Sequence, residues 1–278
     1  MGVRSYKFAG AFYPVGSKEI MEFVRSSVSS AQIDSGIVDH AYAYQVPHAG
    51  YEYSGKIAAY AYKAVMLNSD MQDIESIILI GPNHTGYGAP IAVSSLDWST
   101  PLGIIKNDNE LSQAIADNES IFIDNVAHEE EHSLEVQLPF LQYALGSKEK
   151  KFVFICMGDQ SLEASNALFE SIELALKELK RKALIIASSD LNHYEPAEIA
   201  ARKDRQLLKA MEDLDYAKFN KLIDELNISA CGYGPITVAM LFAKARGARK
   251  GIILKYGNSG DSTGDYTSVV EYSASAFV

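Results

Sequence analysis

The sequence predicts an α/β fold in which helices flank a central sheet, within a single domain over residues 1–278. Short apolar or β-branched runs alternate with longer amphipathic stretches, as in chains that interleave strands and helices. The strand-like runs are residues 41–46, 76–80, 151–157, 183–188 and 251–256. The segments with helical periodicity are residues 18–27, 54–65, 134–145, 163–180, 196–211, 216–226 and 235–245. The sequence shows no repeat or long Pro/Gly/Ser linker, so one domain is expected.

Composition narrows the function classes. The chain has 278 residues, 47% hydrophobic and 22% charged, which fits a globular protein with a sizeable core. Its formal charge of −11 repels phosphate backbones and anionic lipids, so we expect no nucleic-acid partner. No segment approaches the roughly 18 apolar residues of a membrane span, which predicts a cytoplasmic protein. Its 2 cysteines are too few for a disulfide framework.

Three histidines follow the ends of predicted strands. His48 comes after the run ending at residue 46, His84 after the run ending at residue 80, and His193 after the run ending at residue 188. In open α/β sheets ligands bind beyond the carboxyl ends of the strands, where the following loops meet. A single histidine after a strand is more often a surface or core residue that forms hydrogen bonds. Its repetition at three strand ends favours a binding site.

Cys231 lies in a Gly-rich turn directly before an apolar helix that Pro235 would open at its first position. A helix N-terminus favours the thiolate, and a lowered pKa would make this sulfur a nucleophile or a metal ligand. The alternative is a small buried apolar residue in a tight turn. Cys156 lies inside an apolar run and is expected to be a core residue.

The segment from His128 to His132 has the letters of the H-E-x-x-H pattern of zinc proteases. That pattern needs both imidazoles inside one helix, whereas this acidic run precedes the apolar periodicity that starts at Leu134. Carboxylates at a solvated helix start explain the run better, because they lie near the positive end of the helix dipole. His132 can still turn inward beside Glu135, since residues three apart share a helix face.

With these motifs in view, the sequence resembles the Memo family over nearly its whole length. Prokaryotic members of that family are described as component B of the AmmeMemoRadiSam system. The resemblance rests on ordered motifs: AGAFYP at 9–14, PHAGY at 47–51, YSG at 53–55, GPNH at 81–84, EHSLEVQLPF at 131–140, SDLNHY at 189–194, CG at 231–232 with Pro235, NSGD at 258–261 and GDY at 264–266.

The resemblance implies a fold similar to the class III extradiol dioxygenases, which open catechol-type rings with non-haem iron(II) held by two histidines and a glutamate. It places the histidine ligands at His48 and His84 and the third ligand at Cys231. A thiolate is softer than a carboxylate, so copper or zinc are alternatives to the expected iron(II), and oxygen activation would change. Asp190, His132 and His193 match positions that line the same pocket, where imidazoles can act as acid or base and a carboxylate can orient a ligand.

Three functional hypotheses follow. The first is a metal-dependent oxidoreductase acting on a small or peptide-borne aromatic substrate, supported by the retained Asp190, His132 and His193. The second is a non-catalytic ligand-binding, peptide-binding or signalling module, favoured by a cysteine in place of a carboxylate. The third is a metal-free cysteine hydrolase with Cys231 as nucleophile. The resemblance also implies radical-SAM and AMMECR-type system partners.

Overall fold

The structure, a computed structural model, describes residues 2–278. Its strands are β1 (Val3–Arg4), β2 (Ala43–Val46), β3 (Ser76–Pro82), β4 (Ile91–Val93), β5 (Asp97–Thr100), β6 (Gly103–Ile105), β7 (Phe122–Ile123), β8 (Lys151–Met157), β9 (Ala183–Ser188), β10 (His193–Glu195), β11 (Gly251–Asn258) and β12 (Val269–Phe277). Its α-helices are α1 (Ser17–Ser30), α2 (Lys56–Leu67), α3 (Asn109–Ile115), α4 (Val126–Glu129), α5 (Leu138–Leu145), α6 (Leu162–Leu179), α7 (Ala197–Glu212), α8 (Tyr216–Glu225), α9 (Tyr233–Ala245) and α10 (Gly260–Thr263).

A nine-stranded mixed sheet organises the molecule, in the order β10-β12-β2-β9-β3-β8-β4-β7 with β11 paired to β12. Its centre is parallel, because β2 pairs with β9, β9 with β3, and β3 with β8 in the same direction. Antiparallel strands flank this centre, with β12 beside β2 and β4 beside β8. A separate small sheet contains β1, β5 and β6. The predicted α/β sheet flanked by helices is therefore confirmed.

The register of the parallel strands aligns their carboxyl ends. Val46 at the end of β2 is the partner of Ser188 at the end of β9, and Ala187 is the partner of Ile80 in β3. The loops that follow these strands consequently leave the sheet at one edge. This is the arrangement that the three histidine-bearing loops require.

Two apolar layers bury the central strands on both faces. Alternate residues of β3 divide between them: Ile77 and Leu79 join the layer with α1, α2 and α5, and Ile78 and Ile80 join the layer with α3, α6 and α9. Side chains of a strand alternate between its two faces, which explains this division. Strands buried on both sides read as continuous apolar runs, and this is why they were detectable in the sequence.

Some elements differ from the predicted ones. The predicted helix over 134–145 starts as α5 only at Leu138, after a short 3₁₀ turn over Glu135–Gln137. Helix α9 starts at Tyr233, so Pro235 occupies its third position and not its first. Strand β12 was not predicted, because buried Glu271, Ser273 and Ser275 interrupt its apolar pattern. No helix within residues 2–278 is both long and apolar enough to cross a membrane.

A buried ion pair fixes the N-terminal segment against the polypeptide that approaches the sheet edge. Arg4 donates to Glu135 Oε2 at 2.6 Å, and it also donates to the carbonyl oxygens of His128 at 2.6 Å and Glu131 at 2.9 Å. Glu135 also accepts from the Tyr13 hydroxyl at 2.8 Å. The pair therefore holds the segment that carries His128, Glu131 and Glu135.

Replacing Arg4 by alanine should destabilise the protein by roughly 3–5 kcal/mol, because it leaves the Glu135 carboxylate buried without its cation. Urea unfolding followed by circular dichroism measures this loss. Arg202→Ala is the matched control, since Arg202 forms an exposed pair with Glu198 at 3.7 Å and its removal should leave the urea midpoint nearly unchanged. Equal midpoints for the two variants would contradict the anchoring role of Arg4.

Candidate metal centre

A cleft of about 770 Å³ opens at the carboxyl edge of the parallel strands. All six site residues predicted from the sequence line it: His48, His84, His132, Asp190, His193 and Cys231. Aromatic side chains form much of the remaining wall: Phe12, Tyr53, Tyr194 and Tyr272. The six predicted residues thus come from five separate parts of the chain.

His48, Asp190 and Cys231 form one half of the site. Cys231 Sγ lies 3.1 Å from His48 Nε2, and the Asp190 backbone amide donates to the same sulfur at 3.2 Å. Asp190 Oδ1 accepts from the His48 backbone amide at 2.8 Å, and its Oδ2 lies 4.0 Å from His48 Nε2. Candidate ligand atoms of these three residues all lie within 4.8 Å of one another.

His84 and His132 form the other half, around the buried carboxylate of Glu131. Glu131 Oε1 lies 2.9 Å from His84 Nδ1 and 3.4 Å from His132 Nδ1. The two imidazole rings stack with their centroids 4.7 Å apart. His48 joins them, and candidate ligand atoms of these three histidines also lie within 4.8 Å of one another. His48 therefore belongs to both groups, and the predicted ligand set of His48, His84 and Cys231 takes members from each.

A buried hydrogen-bond chain orients the His48 ring. Its Nδ1 lies 2.8 Å from the Oγ of Ser188, which is the last residue of β9. The Ser188 hydroxyl donates to the Ser133 carbonyl oxygen at 2.8 Å and accepts from Gln137 Nε2 at 2.9 Å. Because Ser188 already bonds Nδ1, Nε2 is the nitrogen of His48 that contacts the cysteine sulfur. Such partners commonly set the orientation of metal-binding histidines.

The site favours neutral imidazoles. Burial, and then the neighbouring His84, lower the pKa of His48 well below its usual value. Burial and the neighbouring His48 likewise lower the pKa of His132 to about 3. Loss of solvent disfavours the charged form of a histidine, and the neutral ring is the form that binds a metal ion.

Cys231 differs from the expectation of a lowered thiol pKa. Burial and the adjacent Asp190 carboxyl raise its pKa well above the usual value, and hydrogen bonds from the Asp190 amide offset this only in part. The first turn of α9 is not directed at the sulfur alone, because the Gly232 amide donates to Ser189 Oγ at 2.9 Å. Desolvation therefore outweighs the helix N-terminus, and the free protein holds a neutral thiol.

Glu131 is the site residue that the sequence analysis missed. It was expected on a solvated helix start, but its side chain is fully buried. Burial opposes its ionisation, yet the hydrogen bond from His84, the electrostatic interaction with the His84 and His132 rings, and the Ser133 amide bring its pKa to about 2. In a run of three glutamates, only the following His-Ser dipeptide distinguishes the inward one.

The H-E-x-x-H letters do not form a zinc-protease helix. Helix α4 ends at Glu129, before His132. His128 lies away from the cleft, with its Nδ1 3.3 Å from the sulfur of buried Cys156. The expectation that Cys156 is a core residue is confirmed, since its side chain is fully buried.

His193 reaches the cleft from β10. Its backbone amide donates to Ser229 Oγ at 2.8 Å, and its ring Nδ1 is buried without a hydrogen-bond partner among residues 2–278. Tyr194 follows with φ of 61° and an exposed ring at the mouth of the cleft. A tyrosine in the left-handed region is uncommon and marks a locally constrained backbone.

The fold and the cleft define an α/β protein with a histidine- and cysteine-lined site beyond its parallel strands. The chain matches the family model described as "Memo-like protein" over residues 4–276. It is 42% identical over 272 residues to a MEMO1 family protein of Methanococcoides burtonii, covering 98% of each chain. It is 40% identical over 277 residues to a MEMO1 family protein of Archaeoglobus fulgidus, covering 99% of each. The chain therefore belongs to the Memo-like family, and the resemblance noted in its motifs is confirmed.

Among solved structures, the chain is similar to an uncharacterized protein from Escherichia coli K12. The TM-score is 0.53 with 14% sequence identity, covering 84% of this chain and 98% of the other. At that identity the likeness shows a shared fold alone. The similarity to class III extradiol dioxygenases stays a prediction.

Changing Glu131 to glutamine should weaken binding of zinc(II) by roughly 10–100-fold, because the partner that orients His84 loses its charge and one acceptor atom. Calorimetric titration of the metal-free protein measures the affinity, and circular dichroism confirms folding. Glu130→Gln is the control, since the exposed Glu130 pairs with Lys7 at the surface. Parental affinity in Glu131→Gln would exclude an orienting role for this carboxylate.

Proposed function

We propose that this protein binds one transition metal ion through His48, His84 and Cys231 and acts as a metal-dependent oxidoreductase on a small aromatic substrate. The observation that carries the proposal is the convergence of the buried His48 ring with the Cys231 sulfur, 3.1 Å apart, in a cleft that also holds His84. Two imidazoles and one sulfur form a donor set of the kind that binds iron, copper or zinc.

The orientation of the donors fits a metal ion. Ser188 engages Nδ1 of His48, and Glu131 engages Nδ1 of His84 at 2.9 Å. Both rings can therefore direct Nε2 toward the same metal ion. The thiol of Cys231 would lose its proton on binding, as metal-bound sulfur does. We propose iron(II) as the metal, with copper or zinc as alternatives, and it would supply a Lewis-acid or redox centre when bound.

The remaining polar residues supply functions that an oxidoreductase site needs. Asp190 Oδ1 accepts from the His48 backbone amide at 2.8 Å. Asp190 therefore positions His48, one of the proposed metal ligands. His193 has an unpaired ring nitrogen among residues 2–278, which suits an acid or base that acts on a bound molecule. His132 is the alternative acid or base. The aromatic wall favours a planar ring as substrate.

A second candidate is a non-catalytic ligand- or peptide-binding module that uses the same cleft. Its support is the size of the cleft, about 770 Å³ with an aromatic wall. A second support is the thiol of Cys231 at the position where the resemblance to class III extradiol dioxygenases implies a carboxylate. The predicted radical-SAM and AMMECR-type partners fit either candidate. The two candidates differ in whether His193 and His132 change a reaction rate.

The metal-free cysteine hydrolase has less support. A nucleophilic cysteine works as a thiolate beside an imidazolium, which needs a lowered thiol pKa. Here burial raises the pKa of Cys231 and lowers the pKa of His48, so both partners are neutral near pH 7. The contact between them suits two ligands of one metal ion better than a reactive ion pair.

His84→Ala and Cys231→Ser should each lose most of the bound metal while remaining folded, because these residues lie in loops beyond the strands. Protein purified without a tag and without added metal is analysed by mass spectrometry for metal content. His40→Ala and Cys156→Ala are matched controls, since exposed His40 and buried Cys156 lie outside the cleft. Full metal retention in both site variants would exclude this ligand set.

His193→Ala or His132→Ala should lower turnover by roughly 10²–10⁴-fold while leaving metal content nearly unchanged, which is the usual contribution of a general acid or base. Oxygen uptake with a panel of catechols gives the rate. If both variants turned over a substrate at the parental rate, the acid/base assignment would fail. The absence of any turned-over substrate would favour the binding module.

A further inference from the structure

Tyr194 occupies a backbone position beside the cleft that suits glycine better than tyrosine. In the pairing of β10 with β12, His193 lies opposite Val270 and Glu195 lies opposite Val269, so Tyr194 is the extra residue of a β-bulge. Its φ is 61°. In one common type of bulge the extra residue lies in this left-handed region and is usually glycine, because a side chain there crowds the backbone. A tyrosine at this position therefore strains the backbone.

Hydrogen bonds on both sides of the bulge hold it in this conformation. Before it, the His193 backbone amide donates to Ser229 Oγ at 2.8 Å. After it, the Glu195 carboxylate accepts from Lys203 Nζ at 2.8 Å and from the Asn192 side-chain amide. A strained backbone persists where the surrounding structure fixes it, and such positions cluster at functional sites. The bulge therefore indicates a function for the side chain that it carries.

The tyrosine ring contributes little to the packing of the fold. Tyr194 is 78% exposed, whereas Tyr272, which also lines the cleft, is 2% exposed. Tyr194 therefore lies at the mouth of the cleft and Tyr272 lies in its interior. The Tyr194 ring contacts the His193 ring edge-on, with the centroids 5.7 Å apart and the planes at 60°. Because burial does not explain a large aromatic side chain at a strained position, ligand binding is the better explanation.

The size and chemistry of the cleft indicate what this ring contacts. The volume of about 770 Å³ exceeds what one substituted benzene ring fills, since pockets of ~300–1,000 Å³ bind drug-sized ligands. A ligand that extends from the proposed metal residues to the mouth must therefore be larger than one ring. No lysine or arginine within residues 2–278 lines the cleft, so its wall does not favour a negatively charged extension. An aromatic extension suits the exposed Tyr194 ring best.

We propose that Tyr194 is a specificity-determining residue that contacts an aromatic group at the mouth of the cleft, and that the preferred substrate carries a second ring beyond the one that reacts. This inference rests on the proposed function, because it assumes an aromatic substrate at the metal residues. Contact between two aromatic rings stabilises a complex beyond the area that it buries. The bulge fixes the backbone of Tyr194 before the ligand arrives, which reduces the ordering that binding requires.

The binding test compares catechol with 4-phenylcatechol, which carries the same diol and a second ring. Each compound is titrated by calorimetry into the parent and the variants, with and without one equivalent of zinc(II), which does not oxidise the ligand. The parent should bind 4-phenylcatechol more tightly than catechol. Tyr194→Gly should weaken binding of 4-phenylcatechol by roughly 3–10-fold, the contribution of one aromatic pair, and leave catechol binding unchanged. Tyr194→Phe keeps the ring and should bind both compounds as the parent does.

Thermal unfolding of the same variants separates a role in binding from a role in folding. Tyr194→Gly should raise the Tm by ~2–4 °C, because glycine adopts the left-handed conformation without steric strain. Tyr87→Gly is the matched control, since Tyr87 is 64% exposed, has no positive φ and lies outside the cleft. There glycine only adds freedom to the unfolded chain, so the Tm should not rise and binding of both compounds should match the parent.

Three results would overturn the inference: Tyr194→Gly binds 4-phenylcatechol as tightly as the parent, it loses affinity for both compounds equally, or its Tm falls below that of Tyr87→Gly. The first of these results leaves the proposed function intact, because catechol still binds beside the metal residues. If the parent binds zinc(II) but neither compound, the aromatic substrate of the proposed function is excluded, and the role of Tyr194 is excluded with it.

Discussion

The parallel pairing of β2 with β9 is the constraint on which the site depends. The register places Val46 beside Ser188, and the Ser189 amide continues the pairing by donating to the Val46 carbonyl at 2.8 Å. His48 and Asp190 each lie two residues beyond the paired ends, so the Asp190 carboxylate meets the His48 amide. A one-residue slip would turn each side chain to the opposite face and separate them. Two apolar layers prevent such a slip.

The cleft contains buried imidazoles and buried carboxyls, and removing either group from water costs free energy. Most of these groups have a specific hydrogen-bond partner. Ser188, which accepts from Gln137, bonds the His48 ring, while the Glu131 carboxylate bonds His84 and lies 3.4 Å from His132 Nδ1. Burial lowers the pKa values of His48 and His132, and the neutral ring is the form of histidine that binds a metal ion. The raised thiol pKa of Cys231 is consistent with this, because a cation in the cleft would offset the desolvation of the thiolate.

Sequence reasoning succeeded where one local signal dominated. The runs over 151–157 and 183–188 coincide with β8 and β9, because strands buried on both faces are apolar at nearly every position. The strand-end histidines were found because each directly follows an apolar run in the sequence. Parallel strands bring the residues that follow such runs to one edge of the sheet. Strand β12 was not predicted because serine and glutamate are usually exposed, whereas its serines and Glu271 are buried. Glu131 and the thiol pKa of Cys231 depend on burial by distant segments, which local sequence does not encode.

X-ray absorption spectroscopy of the metal-loaded protein tests the central claim most directly, because it reports the atoms that contact the metal. The account predicts one sulfur at ~2.3 Å together with imidazole nitrogens at ~2.0–2.1 Å for zinc. In Cys231→Ser the sulfur contribution should disappear, while Cys156→Ala should keep it. A metal shell made only of nitrogen and oxygen in the parent protein would contradict the account.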